Sequence, residues 1–291
     1  MSSRWTGRRE RFRAIFNGTA CVHPASVHDP ISARIAADLG FETGMFAGSV
    51  ASLTVLGAPD LIVLTLSEFA DQAYRISRAA DLPLMVDADH GYGNALNVMR
   101  TVEELETAGV AGLSIEDTLL PRGYGSTDKP ELLSVEEGTG KMKAALEGRR
   151  DPRLVIAGRT SAIGITGLED TIRRAKAYEA AGVDAMFLVG VKTREQVEAV
   201  AAEIKIPLIL GGVPEALMDR QYLASHRVCI CLQGHQPFQA AVRAIHETLS
   251  ALRAGTAPKD LKGLASAELM NEVTRAGDYD RWTREYLGAK K

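Results

Sequence analysis

The fold is decided by the stretch Leu82-Pro83-Leu84-Met85-Val86-Asp87-Ala88-Asp89-His90-Gly91-Tyr92-Gly93-Asn94, in which an apolar run leads directly into acids and glycines. Residues 82–86 are apolar at every position, as a strand buried on both faces of a parallel sheet must be. Side chains two residues apart in a strand project to the same side, so Asp87 and Asp89 converge where the strand ends. Adjacent carboxylates repel one another unless a cation or a shared proton compensates them. The stretch therefore predicts a buried parallel strand with a site for a hard divalent cation at its end.

Strand-like and helical patterns alternate along the rest of the chain. The predicted strands are Cys21–Pro24, Thr43–Ala47, Leu84–Asp87, Gly112–Glu116, Val155–Gly158, Ala185–Val189, Pro207–Leu210 and Val228–Leu232. The predicted helices between them are Asp29–Leu39, Ser67–Ala80, Ala95–Ala108, Ser134–Leu146, Leu168–Ala181, Thr193–Ile204 and Glu215–Ser225. This α/β repetition favours a (β/α)8 barrel of the TIM type over an open sheet. A Gly-x-Gly-x-x-Gly motif does not follow the first strand, which argues against a dinucleotide-binding unit.

Two segments lie outside the eight repeats. Residues 8–17 are predicted to form an N-terminal helix that caps the bottom of the barrel. Residues 236–291 are predicted to form a C-terminal helical extension, so that 1–291 is a single barrel domain with this extension attached. Tyr279, Trp282 and Tyr286 recur there at helical spacing, and either they pack on the outer helices or they contact a neighbouring subunit.

Composition limits the class of partner. The chain has 291 residues, of which 46% are hydrophobic and 24% charged, with a net charge of −3. Such a surface gives no strongly basic field, so we expect no nucleic-acid or membrane partner. No apolar run is long enough to span a bilayer, and no apolar segment of an export signal follows the N-terminal arginines. Three cysteines are too few for a disulfide scaffold, and we expect a cytoplasmic protein that binds a small molecule.

Polar side chains follow five of the predicted strands, at the end of a barrel where functional groups collect. They are Ser49, Asp87, Asp89, Glu116, Arg159 and His235. Mg²⁺ is commonly held by one or two carboxylates and retains several waters, which leaves positions for the oxygens of a 2-oxo acid. Arg159 could bind the carboxylate of that acid through two hydrogen bonds, helped by the amides of residues 48–50. Such a site would stabilise an enolate.

Simpler interpretations of the same residues stay open. Asp87 and Asp89 could do no more than cap the turn and the helix that begins near Asn94. Glu116 and Asp117 could form a buried ion pair with Arg159. His235 could be a structural hydrogen-bond donor, and His90 points away from the acids by strand alternation, which favours a packing role.

Several motifs together resemble the phosphoenolpyruvate mutase/isocitrate lyase superfamily. The motifs are residues 48–51, 87–94, 109–117, 157–160 and 234–235. The resemblance implies a (β/α)8 barrel, Mg²⁺ with Mn²⁺ as an alternative, and chemistry on a 2-oxo acid or its enolate. It also implies a homotetramer, a dimer of dimers, in which subunit pairs exchange helices.

The resemblance assigns roles to individual residues. Asp87 would be the acid nearest the metal, while Asp89, Glu116 and Asp60 would act mainly through water. Ser49 and Arg159 would bind the carboxylate of the substrate.

The loop after the fourth strand departs from the lyase members of the superfamily. Those members carry Lys-Lys-Cys-Gly-His there, with the cysteine as acid and base, whereas residues 119–126 read Leu-Leu-Pro-Arg-Gly-Tyr-Gly-Ser. The asparagine of the mutase loop is missing as well. Residues 23–30, 94–102 and 234–235 are instead similar to the oxaloacetate decarboxylase branch. That likeness implies Mg²⁺-dependent decarboxylation of oxaloacetate to pyruvate and CO₂, with Arg159 and His235 as catalytic groups and His235 near the departing carboxylate.

Three other functions stay open. One is a 2-methylisocitrate lyase-like or phosphonate-processing enzyme of the same superfamily. Another is an aldolase that forms a Schiff base, for which Lys192 after the sixth strand is the candidate. The third is a barrel that binds a 2-oxo acid without turning it over.

Overall fold

Eight parallel strands form one sheet in sequential order, β1 to β8, in the computed structural model, which describes residues 4–127 and 129–288. The strands are β1 Ala25–Ser26, β2 Gly44–Phe46, β3 Leu84–Asp87, β4 Gly112–Glu116, β5 Val155–Thr160, β6 Ala185–Leu188, β7 Leu208–Leu210 and β8 Val228–Cys231. A parallel bridge between Val22 and Ile230 joins the two ends of the sheet. Val22 N donates to Cys229 O at 2.8 Å, and Cys231 N donates to Val22 O at 3.0 Å. The sheet thus curls into the predicted barrel.

Helices follow the strands around the outside. They are α1 Thr6–Asn17, α2 Pro30–Asp38, α3 Gly48–Ala51, α4 Leu66–Ala79, α5 Ala95–Thr107, α6 Val135–Gly148, α7 Ala162–Ile165, α8 Leu168–Ala181, α9 Arg194–Glu203, α10 Arg220–Ser225, α11 Gln236–Arg253, α12 Ala267–Thr274 and α13 Ala276–Leu287. All residues of β3, β4, β6 and β8 are buried, because the barrel interior covers one face and the helices cover the other. No described helix is both long and apolar enough to cross a bilayer.

Two predicted elements differ from the structure. The first strand was expected at Cys21–Pro24, but only Val22 pairs there and β1 begins at Ala25. Pro24 has no N–H to donate, which interrupts the ladder at that point. The helix expected at Glu215–Ser225 is a 3₁₀ turn, Glu215–Leu217, followed by α10. Asp219 divides them, because its carboxylate accepts from the backbone N–H groups at the start of α10.

Helix α1 packs across the N-terminal ends of the strands, which confirms the predicted cap. The ring of Phe12 occupies the space where a side chain at Gly112 would lie. Arg9 Nε donates to Val110 O at 3.0 Å. Arg13 Nη2 contacts Asp184 Oδ1 at 3.0 Å. Arginine side chains therefore satisfy backbone carbonyls and acids that this end of the barrel leaves exposed.

The chain forms two compact units, Met1–His235 and Gln236–Lys291. Among its described residues, the second unit consists of α11, a 3₁₀ turn at Pro258–Asp260, α12 and α13. Helix α11 has no buried residue, and its exposed apolar side chains recur at helical spacing. These side chains are Val242, Ile245, Leu249 and Leu252.

Candidate active site

A cavity of about 600 Å³ opens at the C-terminal ends of the strands. It brings together the polar residues that the sequence singled out, namely Ser49, Asp60, Asp87, Asp89, Glu116, Arg159 and His235. Met45, Phe187 and Val189 add an apolar part to its wall, and residues 120–122 of the loop after β4 line it as well. Charged groups and apolar surface thus share one concave site, as small-molecule sites usually require.

Arg159 is the cation that holds the acids of β3 and β4 together. Its Nη1 donates to Asp87 Oδ2, and its Nη2 lies 3.5 Å from Glu116 Oε2. The other oxygen of Asp87 accepts from Ser114 Oγ at 3.0 Å. Glu116 Oε2 also accepts from Thr118 Oγ1 at 2.8 Å. Both carboxylates are buried and held in fixed positions by these bonds.

The pKa values of three acids in the cavity are displaced upward. Burial raises the pKa of Asp89 well above its ordinary value, and the charges of Asp87, Glu116 and Asp60 raise it further. The pKa of Glu116 is also raised by burial, although Arg159 opposes the rise. Desolvation and then the charge of Asp87 raise the pKa of Asp60. One guanidinium therefore does not balance the negative charge of these acids.

This donor set fits a hard divalent cation. All the candidate ligands are carboxylate oxygens, which Mg²⁺ and Mn²⁺ prefer. In residues 4–127 and 129–288 no three acids, histidines or cysteines converge closely enough to hold an ion directly. A cation that keeps several waters needs only one or two direct carboxylates, so the wider spacing is compatible with such an ion.

The turn that carries Asp89 has an unusual backbone. Asp89, Gly91, Tyr92 and Gly93 all have positive φ, at 47°, 77°, 58° and 146°. The turn ends at Asn94, whose Oδ1 accepts from Leu96 N at 2.9 Å and so caps α5. Asn94, and neither Asp87 nor Asp89, is thus the N-cap of α5.

Gly48 provides the space for the Asp89 carboxylate. A Cβ at residue 48 would collide with both carboxylate oxygens of Asp89. Residue 48 begins the short helix α3, and Ser49, the next residue, lines the cavity. The close approach of the two segments requires glycine at this position.

His235 follows β8, and one of its ring nitrogens forms a hydrogen bond within the protein. Its Nδ1 is 2.9 Å from Ser26 Oγ at the end of β1. Burial lowers the pKa of the imidazole, and the charge of Asp87 opposes the change. The ring is thus neutral near pH 7, and it lines the cavity.

Asp117 and His90 lie outside the cavity wall. Asp117 Oδ2 accepts from Arg174 Nη1 at 3.0 Å and from Tyr178 OH at 2.6 Å. The proposed pairing of Glu116 and Asp117 with Arg159 therefore applies only to Glu116. His90 is buried, in keeping with a packing role.

Three residues next to site residues were not predicted from the sequence, namely Ser114, Ser26 and Phe187. Ser114 was detectable, because it precedes Glu116 by two residues on β4 and pairs in register with Asp87. Ser26 was missed because the predicted first strand ended before it. Phe187 carried no signal, since apolar residues fill β6 throughout, yet its ring lies 5.5 Å from the Arg159 guanidinium.

Residues 12–253 match the sequence family described as phosphoenolpyruvate phosphomutase. The chain belongs to the phosphoenolpyruvate phosphomutase family. A relative from Rhodopseudomonas palustris (strain BisA53), described as oxaloacetate decarboxylase, is 60% identical over 287 residues, which cover 99% of each chain.

Solved structures agree with this family membership. An oxaloacetate acetylhydrolase in complex with the inhibitor 3,3-difluorooxalacetate is similar with a TM-score of 0.84 and 28% identity, over 97% of this chain and 98% of that one. A phosphonopyruvate hydrolase in complex with oxalate and Mg²⁺ has a TM-score of 0.84 and 28% identity, over 96% of this chain and 99% of that one. Both structures thus share their fold with this chain across almost its whole length.

In this family member the loop after β4 is anchored at both ends. Thr118 and Leu132 form an antiparallel bridge. Leu119 N donates to Glu131 O at 2.8 Å, and Leu133 N donates to Asp117 O at 2.8 Å. Leu120, Pro121 and Arg122 within the loop reach the cavity.

Proposed function

We propose that this protein decarboxylates oxaloacetate to pyruvate and CO₂ in a Mg²⁺-dependent reaction. The observation that carries the proposal is one cavity in which four carboxylates, one guanidinium and a neutral imidazole line the same wall. The full-length relative at 60% identity, described as oxaloacetate decarboxylase, supports the choice of reaction. The phosphonopyruvate hydrolase solved with oxalate and Mg²⁺ supports the choice of ion.

The acids of the cavity would hold the cation. Asp87 would be its nearest ligand, with Asp89, Glu116 and Asp60 acting mainly through water. Bound there, Mg²⁺ or Mn²⁺ would polarise the C2 keto oxygen of the substrate and favour the enolate.

Ser49 and Arg159 would bind the C1 carboxylate of oxaloacetate. Both residues line the cavity, and the Arg159 guanidinium supplies its positive charge. A guanidinium and a hydroxyl suit a planar carboxylate, and together they would fix the C1–C2 end of the substrate in the cavity.

Decarboxylation then requires little from the remaining residues. The C3–C4 bond breaks, its electron pair becomes part of the enolate, and CO₂ leaves; a proton delivered to C3 completes pyruvate. His235 would orient the C4 carboxylate. A neutral ring serves this purpose better than a cation, because a cation would stabilise the carboxylate in the ground state. When Ser26 donates to Nδ1, the ring carries its proton on Nε2 and can donate from that atom.

Other activities have less support from the cavity. The three cysteines are buried and line no part of the cavity. None of them can therefore serve as the acid and base of a 2-methylisocitrate lyase-like reaction. Lys192, the Schiff-base candidate, is exposed and lies outside the cavity wall. A barrel that binds a 2-oxo acid without turnover is an outcome of the test below.

We also propose a homotetramer, a dimer of dimers, in the cytoplasm. The apolar face of α11 favours subunit contacts, because several large apolar side chains on one helix are costly to leave in water. The assignment of 1–291 as one barrel domain with the extension 236–291 stays a prediction.

The test compares the purified protein plus Mg²⁺ with Mg²⁺ alone, following oxaloacetate loss and pyruvate formation. We expect a rate well above that of the free ion, abolished by EDTA. Asp87→Asn and Arg159→Met should each lower kcat/KM at least about 100-fold. The matched control is Asp71→Asn, an exposed acid paired with Arg75, which should leave the rate unchanged.

Each alternative has its own result. A rate equal to that of free Mg²⁺, with oxalate still bound, would identify a binding barrel. Pyruvate and succinate formed from 2-methylisocitrate would identify a lyase, and inactivation by borohydride plus substrate would identify a Schiff base. Asp87→Asn at the wild-type rate would overturn the site assignment.

A further inference from the structure

Lys141 is a buried lysine that the proposed reaction does not use. It lies on α6, is only 3% exposed and does not line the cavity. Its Nζ donates to the backbone carbonyl oxygen of His90 at 2.7 Å, across 51 residues of sequence. An ammonium group loses hydration when it is buried, so its retention at this position calls for a specific partner.

The carbonyl that Lys141 holds belongs to the turn of positive φ after β3. Four successive carbonyls of this turn accept from four different donors. Ala88 O accepts from Gly91 N, Asp89 O from Glu116 N, His90 O from Lys141 Nζ and Gly91 O from Thr101 Oγ1. Asp89 and Tyr92 are both in the left-handed region, which only a fully determined surrounding can maintain. Lys141 is the charged member of this set of donors.

Three acids act on Lys141, and one of them, Glu116, lines the cavity. Glu137 lies one turn earlier on α6, and Glu116 and Asp117 of β4 and its end act on it from the sheet. His90, the residue whose carbonyl it binds, is neutral because burial, together with Lys141, lowers its pKa to about 4. One ammonium thus joins α6 to the acidic turn and places a positive charge behind Glu116.

We propose that Lys141 is a positioning residue for the cation site: by holding His90 O, it fixes the turn so that the Asp89 carboxylate faces the cavity. The inference rests on the proposed function, since it assumes a divalent cation among the acids. Lys141 touches neither substrate nor reacting atoms. Its loss would leave a buried carbonyl without a donor and would loosen the backbone on both sides of it.

The test measures Mn²⁺ binding without substrate, by electron paramagnetic resonance of the free ion, in the wild type and in variants of the full chain. Lys141→Met should weaken Mn²⁺ binding about 10-fold or more, and Lys141→Arg should restore part of the affinity. Lys143→Met is the matched control, because Lys143 is exposed on the same helix, and it should bind Mn²⁺ like the wild type. The rate of Lys141→Met should recover in part when Mg²⁺ is raised, since chemistry itself is intact.

The results distinguish failure of the role proposed for Lys141 from failure of the proposed function. Equal Mn²⁺ affinity in Lys141→Met and wild type overturns the role of Lys141. Absence of Mn²⁺ binding to the wild type overturns the cation site and hence the proposed function. Should Lys141→Met fail to fold by circular dichroism, Lys141→Gln decides instead: its amide lacks the charge and the reach, so weakened binding supports the role and unchanged binding overturns it.

Discussion

Gly48 shows how one residue without a side chain determines where a carboxylate can lie. We expect Gly48→Ala to lower kcat/KM about 10- to 100-fold, because the new Cβ would displace both oxygens of Asp89. Mn²⁺ affinity should fall with it, while the fold is kept. Steady-state kinetics and Mn²⁺ titration measure the two effects.

The matched control for this substitution is Gly140→Ala. Residue 140 lies within α6 with no atom within 4 Å of an added Cβ. Alanine there should stabilise the protein by about 0.5–1 kcal/mol, since glycine weakens a helix interior. Wild-type kinetics in Gly48→Ala would show that Asp89 does not need its observed position.

Strand alternation explains which site residues could be predicted from the sequence. Asp87 ends a strand that is apolar up to that point, and Glu116 ends one in which Ser114 is the other polar residue, so their direction followed from the pleat. The role of Arg159 as the joint partner of both acids was not predictable in the same way. It depends on the register of β3, β4 and β5, which only the closed sheet fixes.

At the scale of the elements, the buried ion pair of Asp117 and Arg174 connects the end of β4 to α8. Asp117 is completely buried and Arg174 nearly so. We expect Arg174→Met to cost about 3–5 kcal/mol in the free energy of unfolding, because it leaves a buried carboxylate without its cation. Urea denaturation measures the loss.

A double-mutant cycle checks that prediction. Asp117→Asn combined with Arg174→Met should cost clearly less than the two single changes together, since the charge left behind is gone. Arg173→Met next door removes an exposed partner of Asp170 and should cost at most about 0.5 kcal/mol. Equal losses in Arg173→Met and Arg174→Met would contradict the interpretation.

Most elements followed from hydrophobic patterning, and the exceptions have local causes. Leu84–Asp87, Gly112–Glu116 and Leu168–Ala181 have the predicted bounds, because each of them has a regular hydrophobic pattern and clear ends. The π-helix at Ser52–Leu56, continuous with α3, was not predicted. A π-helix of one turn has no periodicity of its own from which the sequence could predict it.

For the whole molecule, the apolar face of α11 predicts association. We expect the wild type to sediment as a tetramer, and Ile245→Glu with Leu249→Glu to dissociate it, because charges would replace the exposed apolar side chains. Sedimentation velocity distinguishes the states. Ala244→Glu places the same charge on α11 outside the apolar face and should leave the tetramer intact. A wild type that sediments as a monomer would refute the assembly.

The arginines of α1 have a consequence for the order in which the chain acquires its structure during synthesis. Arg8 and Arg9 bond to Ser77 and Val110, and Arg13 bonds to Asp184, 171 residues further along. At usual rates of translation that last partner leaves the ribosome roughly 10 to 30 s after the helix does. Helix α1 therefore cannot complete its arginine contacts until the chain has been made as far as Asp184. The cap that covers the bottom of the barrel is among the last parts of it to be completed.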